Sequence, residues 1–342
     1  MLEIITNNKD NIWNITLESF INYDFYDNYN IHLIDESGYE HIFIIFRKGE
    51  YKIGLPIILR EIPNTKYYDI TSVYGYSGPL SSHDIIPDTV IEQFEMELQL
   101  YLKKNNVVSV FSRLHPLFNQ EDILQYMGVV YTLSKTVSID LTLSIDEQRK
   151  QYRKDVKSRV NKLKRNNFVV IEDVEKEYIN EFISIYNENM KRVGASAAYF
   201  FSYDYYIKLL FNDNIDARLY FVKMDEELIV GGIFVYTNEI IQYHLSGTKT
   251  AYLKESPMRL LLDYVRLIGT KEGYKYLHLG GGVGSKEDAL FNFKAGFSKK
   301  RHDFKIWKYI VNKKVYDELV ERTGNIVDDS YFPLYRANNK LL

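Results

Sequence analysis

The chain of 342 residues contains no cysteine. Disulfides, Cys-ligated zinc, iron–sulfur clusters and thiol nucleophiles are thereby excluded, and a thioester on the protein itself with them. Tryptophan, at 2, and proline, at 7, are scarce. The longest apolar runs, such as Ile42–Phe46, fall far short of the roughly 20 residues that span a bilayer. The first ten residues carry acids and amides where a signal peptide needs a basic stretch followed by an apolar one, so a cytoplasmic location is expected. Neither sign of charge prevails: 43 Lys+Arg face 46 Asp+Glu, a net of −3. Bulk affinity for nucleic acid is not expected from that balance, although it leaves room for a local basic patch. Hydrophobic residues at 46% and charged residues at 26% are those of a globular protein, and the length suits two domains with a core each. The surplus is aromatic, with 30 Tyr and 19 Phe. Tyrosine, apolar in body and polar at its tip, suits wide polar clefts, but an A/T-rich coding bias would produce the same excess.

Hydrophobic periodicity orders the second half as β-α-α-β-β-β-α-β-α-β. Strands are predicted at Phe168–Ile171, Ala217–Lys223, Leu228–Tyr236, Ile240–Ser246, Tyr274–Leu279 and Lys305–Val311. Helices are predicted at Glu177–Lys191, Tyr203–Phe211, Ser256–Glu272 and Lys286–Ala295. The first half ends in the same β-β-β-α-β-α-β order: strands Tyr39–Phe46, Tyr51–Ile62, Tyr67–Tyr74, Val107–Ser112 and Val130–Asp140, with helices Pro87–Lys104 and Gln120–Met127. Gln120-Glu-Asp-Ile-Leu-Gln-Tyr-Met-Gly-Val129 also echoes Lys286-Glu-Asp-Ala-Leu-Phe-Asn-Phe-Lys-Ala-Gly-Phe297, which makes a tandem repeat the better reading.

Several side chains stand out for their chemistry. Gly280, Gly281 and Gly282 open a strand–glycine loop–helix segment, where backbone can approach a ligand closely and a helix start offers N–H groups. Its spacing is neither that of a P-loop nor that of a dinucleotide fingerprint. Lys294 shares a helical stripe with Leu290, Phe293 and Phe297, so an ammonium sits on an apolar face. Such a cation either stabilises an anion, a developing oxyanion included, or snorkels to the helix edge. Asp288, in the first turn of that helix, could orient Lys294, bind an acceptor or complement the helix dipole. Asp69, Tyr74 and Tyr76 cluster beside a Gly-Pro turn and suit hydrogen bonding to a sugar or peptide, or simply finish a strand. Tyr243 shares a strand face with core residues, while His244 points the other way and is the one histidine placed as a base. The 7 histidines show no metal-binding spacing, and no metal is expected. Asp146–Arg165 holds nine Lys/Arg against three acids, a local net of +6. Val156, Val160 and Leu163 give it a helical stripe, so it reads as one basic helix between the repeats. Its face is either merely solvated or phosphate-binding, and Arg153, Arg159 and Arg165 are then preferred because guanidinium matches phosphate bidentately.

The doubled order of elements is that of the GNAT acyltransferase fold in tandem. With Tyr68-Asp-Ile-Thr-Ser-Val-Tyr-Gly-Tyr-Ser-Gly-Pro79, Tyr243-His-Leu-Ser-Gly-Thr248, Leu279-Gly-Gly-Gly282 and Leu290-Phe-Asn-Phe-Lys-Ala-Gly-Phe297, the chain resembles the FemAB-like branch, the peptidoglycan bridge aminoacyltransferases and related envelope acyltransferases. The resemblance implies an α/β protein with mixed sheets in two tandem GNAT-like domains, residues 1–145 and 146–342, the last ~30 residues packing back on the first repeat. It implies direct acyl or aminoacyl transfer to an amine of a cell-envelope precursor, peptidoglycan-type or amino sugar, with Phe293 and Lys294 near the reacting carbonyl. No tightly bound cofactor is implied, and acyl-CoA or aminoacyl-tRNA serves as co-substrate. Partners are an envelope or sugar-nucleotide precursor, tRNA in one reading, and the inner membrane face through the basic helix. The chain departs from that pattern in having room for only one short helix before Phe168 instead of a helical-hairpin arm. It also lacks the glycine-bearing loop that grips coenzyme A pyrophosphate: Lys249–Met258 contains no glycine. Two alternatives stay open, an acetyl-CoA-dependent N-acetyltransferase acting on a sugar nucleotide and a non-catalytic GNAT-fold binding protein.

Overall fold

Ile42, Phe43, Ile44, Ile45 and Phe46 are all buried, as a strand covered on both faces requires. A computed structural model of the protein describes residues 1–6, 11–35, 38–324 and 331–341. In chain order the elements begin with β1 (Leu2–Ile5), α1 (Ile12–Leu17), α2 (Tyr29–Asp35), β2 (Glu40–Lys48), β3 (Tyr51–Glu61), β4 (Tyr68–Thr71), β5 (Leu80–Ser81), α3 (Asp88–Lys104), β6 (Val107–Arg113) and β7 (Val129–Asp140). Next come α4 (Ile145–Gln151), α5 (Lys154–Arg165), β8 (Val169–Glu172), α6 (Ile179–Arg192), α7 (Tyr203–Leu210), β9 (Asp216–Met224), β10 (Glu227–Thr237) and β11 (Ile240–Thr248). The chain closes with α8 (Met258–Glu272), β12 (Tyr276–Gly280), α9 (Ala289–Lys294), β13 (Arg301–Ile310) and α10 (Lys313–Arg322). Among the described residues no helix is long and apolar enough to cross a membrane.

Two compact units result, one of residues 1–133 with 303–342 and one of residues 134–302. The first orders its strands β1-β2-β3-β4-β6-β13, with β5 on β3; the second orders them β7-β12-β11-β10-β9-β8. Within each, a single parallel pair, β4/β6 or β11/β12, sits among antiparallel neighbours. Helix α3 buries Val90, Ile91, Phe94, Leu98 and Leu102 on the first sheet. In the second unit α8 buries Leu261, Leu262 and Val265 in a core shared with Val156, Val160 and Leu163 of α5.

The expected division at 145/146 takes each repeat as one continuous stretch, whereas the first unit is made of two segments and the second is the single stretch 134–302. β13 pairs with β6 from Ile306↔Arg113 to Ile310↔Ser109, so the end of the chain belongs to the first unit. β7 pairs with β12 from Tyr276↔Asp140 to Gly280↔Val137, so its second half belongs to the second unit. Val315, Tyr316, Leu319 and Tyr335 share a core with Ile62 and Val108; residues 325–330 and 342 of the expected tail lie outside the described residues. The helix expected at Gln120–Met127 shrinks to a 3-10 turn, Glu121–Leu124, because the chain must reverse at Gly128, whose φ is +71°. The expected single basic helix is two, α4 and α5. Between them Tyr152 turns inward, its hydroxyl donating to Asp263 Oδ1 at 3.2 Å, and Arg153 N donates to Gly296 O at 2.8 Å.

Candidate active site

β11 and β12 pair at three positions, Ile240↔Tyr276, Ile241↔Leu277 and Gln242↔His278. Beyond them β11 follows β10 as far as Thr248, while β12 stays on β7. The two parallel strands therefore part after Gln242 and His278. In the first unit the equivalent strands, β4 and β6, do not stay apart: they pair at Tyr68↔Val107 and Ile70↔Val110 and meet again at a bridge, Ser77↔Leu114. A gap between central strands thus opens in the second unit and is closed in the first.

Lys294 lies at that parting. Its ammonium donates to Gly281 O, just past the end of β12, at 2.7 Å, and stands 5.8 Å from the ring centroid of Tyr243, the first β11 residue beyond the paired stretch. The side chain is buried, with Phe293 packed on the adjoining core. Burial lowers the Lys294 pKa to about 8, the nearby Asp288 carboxylate opposing the shift. The Tyr243 ring stacks on Phe234 at 5.3 Å, its hydroxyl hydrogen-bonds Ser246, and burial raises its pKa to about 12. The structure brings Lys294, Tyr243 and Gly281 together, with Ser246, which was not singled out, bonded to Tyr243, while Phe293 packs on the core beside Phe297.

Asp288 neither touches Lys294 nor faces outward as an acceptor ligand. It caps α9: Phe291 N donates to Oδ1 at 2.9 Å and Val283 N to Oδ2 at 3.1 Å. Burial pushes its carboxyl up, but the backbone N–H groups of Phe291, Val283 and Leu290 outweigh that and hold it below the ordinary range. Its role is positional, because it ties the glycine loop to the helix that carries Lys294. Gly280, with φ +76°, turns the chain out of β12, and a Cβ on Gly282 would collide with Lys286 O and Asp288 Oδ1.

Other expected residues are not at this site. His244 faces away from Lys294 and meets α7, its Nε2 hydrogen-bonded to the Tyr205 hydroxyl at 2.8 Å. Burial lowers its pKa to about 4, too weak a base for this task. Asp69 is fully buried, with Oδ1 accepting from Arg60 Nε at 2.8 Å and Oδ2 from Arg336 Nε at 2.5 Å and from the Tyr335 hydroxyl at 3.1 Å. It ties the end of the chain to β3 and has no oxygen left for an acceptor. Tyr76 packs edge-on against Tyr26, His115 and Phe304, and Tyr74 is exposed with the Arg113 guanidinium 5.3 Å from its ring. Arg159 and Lys162 pair with Glu255, at 3.3 and 3.4 Å, so the basic face of α5 is partly neutralised from within. Asp263, buried, takes Lys164 at 2.9 Å, Arg266 at 3.0 Å and Arg149 at 3.5 Å. Arg165 is exposed at the far end of α5.

The loop after β11 is lined by acids. Thr250 N donates to Glu188 Oε1 at 2.7 Å, Lys249 pairs with Glu227 at 2.7 Å, and Glu255 takes Arg159. Each of these carboxylates is engaged, Glu188 by Thr250 N, Glu227 by Lys249 and Glu255 by Arg159 and Lys162.

A family model described as an acetyltransferase (GNAT) domain matches residues 150–294, the stretch holding the parted strands and Lys294. No curated protein matches the chain in sequence. Among solved structures the chain is similar to FemX, at 12% identity with a TM-score of 0.70, covering 92% of this chain and 99% of that one. It is also similar to L-PGS from Bacillus licheniformis, at 15% identity and a TM-score of 0.58, covering 94% and 98%. A conserved protein of unknown function from Bacteroides thetaiotaomicron, at 9% identity, has a TM-score of 0.57 over 91% and 100%.

Proposed function

We propose that the chain is a tandem-GNAT acyltransferase that moves an acyl or aminoacyl group from a donor seated between β11 and β12 to an amine of a cell-envelope precursor. The observation that carries this reading is the buried ammonium of Lys294 between the two arms of the gap, 2.7 Å from Gly281 O and 5.8 Å from the Tyr243 ring. A neutral amine attacks the donor carbonyl, the new C–N bond forms as the bond to the donor's carrier atom breaks, and the amine proton passes to that leaving atom or to water. Negative charge gathers on the carbonyl oxygen in between. An ammonium already held in a water-poor site stabilises it without reorganising. One Lys294 N–H is engaged by Gly281 O, which leaves donors for the oxyanion.

Envelope chemistry is supported by the resemblance to FemAB-like enzymes and by the folds named FemX and L-PGS. The acids that engage Thr250 N and Lys249, in a stretch, Lys249–Met258, without glycine, support an aminoacyl-tRNA donor over acyl-CoA. The acetyltransferase description of the matched domain keeps acetyl-CoA as the donor to test beside it. Transfer from each donor to peptidoglycan-type and amino-sugar acceptors, followed by mass spectrometry, decides between them. Lys294→Met is expected to lower turnover by about one to three orders of magnitude. Turnover near that of the unmodified protein, in a folded variant, would sink the reading.

A further inference from the structure

Two guanidiniums flank the turn that follows α9. Arg301 folds back on it, Nη1 donating to Ser298 O at 2.8 Å and Lys300 O at 3.0 Å, Nη2 to Ala295 O at 3.4 Å. Arg153, at the start of α5, lies on the turn's glycine: a Cβ on Gly296 would stand 3.0 Å from its Nη2 and 3.1 Å from its Nε. The backbone is pinned there as well, through Arg153 N to Gly296 O at 2.8 Å and through Lys299 N and the Ser298 hydroxyl to Gln151 Oε1, both at 3.2 Å. The positive charge is poorly compensated. Among the described residues no carboxylate lies at ion-pair distance from Arg301, and Arg153 has only the exposed Asp155 at 3.4 Å. Burial, and then the charge of Arg153, push the Arg301 pKa down, against the pull of Glu287. Lys300, next to Arg301 in the chain, is paired with Asp140 at 3.5 Å and adds nothing to this charge.

We propose that Arg153 and Arg301 form a phosphate-binding clamp that holds a phosphate group of the acyl donor beside the Lys294 end of α9. A helix C-terminus needs one cation to satisfy its carbonyls, and Arg301 supplies it. The second guanidinium, Arg153, has only the exposed Asp155, which Arg259 also claims at 3.0 Å, and its charge is explained by an anion that arrives with a ligand. Phosphate is the anion that planar guanidinium forks hold bidentately. Two rigid forks on one turn also fix the direction of the chain that the phosphate belongs to. The clamp rests on the proposed acyl transfer only for the identity of its ligand. RNA and coenzyme A both carry such a phosphate.

Fluorescence anisotropy with a labelled short RNA hairpin, and thermal shift with coenzyme A, separate the two sources. The unmodified protein is expected to bind one of them, and R153M/R301M to bind it at least about tenfold more weakly, with a salt slope smaller by about two. Lys191→Met, removing an exposed cation elsewhere on the same unit, is expected to change affinity less than twofold. No binding of either probe, or equal affinity and salt slope in the double variant, overturns the clamp. If the methionine pair melts early, R153K/R301K carries the test. It keeps the charge and loses the fork, so binding about threefold to tenfold weaker at an unchanged salt slope is expected, and unaltered affinity refutes the proposal. A protein that transfers acyl groups through Lys294 while ignoring the arginine changes would leave the function standing without the clamp. Phosphate binding through these arginines with no acyl transfer from any donor would do the reverse.

Discussion

Lys294, the proposed electrostatic element, is buried at some expense to stability. Its pKa falls from the 10.5 of a free lysine to about 8 because burial disfavours the charged form. Below pH 8 the lysine is protonated in both folded and unfolded chains, and the full penalty applies. Between pH 8 and 10.5 the unfolded chain binds more protons, so stability rises with pH through that window. Lys294→Met removes the penalty along with the bond to Gly281 O, and at pH 7 the variant is expected to be about 1–2 kcal/mol more stable by urea denaturation. Activity has the opposite dependence. If the ammonium is the working form, turnover of the unmodified protein falls as pH rises through about 8, and the residual turnover of Lys294→Met lacks that limb. A flat profile would remove the ammonium from the mechanism. This residue was legible early, as a cation on an apolar helical stripe. Asp69 was misread because Tyr335 and Arg336 reach it from 266 and 267 residues away, and no pattern around Asp69 records them.

The element that aims Lys294 is the glycine loop with α9, and Asp288 joins the two. With both carboxylate oxygens taken by backbone N–H groups, Asp288→Ala loses the cap, at about 1 kcal/mol, and frees the loop that presents Gly281 O. Turnover is expected to fall about tenfold with KM little changed, and Asp288→Asn, whose one carbonyl oxygen can keep the cap on Phe291 N while its amide nitrogen only donates, should recover part of the stability and part of the rate. Equal loss of rate in Asn and Ala variants would give the negative charge itself a part in catalysis. The expected order of strands and helices is present from Glu40 to Ile310 with ends displaced by a few residues. What failed were the helix at Gln120–Met127 and the unity of the basic helix. At the first the chain reverses at Gly128, where Trp307 Nε1 donates to Met127 O at 2.6 Å, and at the second Gly296 O accepts from Arg153 N, so each break is met by a contact from a distant segment.

At the scale of the whole molecule, each unit borrows from the other half of the chain, and the closing residues bind the first unit through a buried carboxylate. Arg336→Ala leaves Asp69 buried with Arg60 as its remaining cation and is expected to cost about 2–3 kcal/mol in urea denaturation. Phosphate binding by folded Arg336→Ala should not change. Undiminished stability would mean that the tail contributes no anchoring. The order of elements, the tandem repeat and the lysine on its apolar face follow from the residues alone, because periodicity and spacing are local and survive in the linear string. Tertiary structure settled which repeat keeps its central strands apart, that residues 303–342 return to the first unit, and that Arg153 and Arg301 both lie on the turn after α9. Those outcomes come from strand pairings and hydrogen bonds between segments distant in the chain, whose partners are selected by packing and burial once the chain has collapsed.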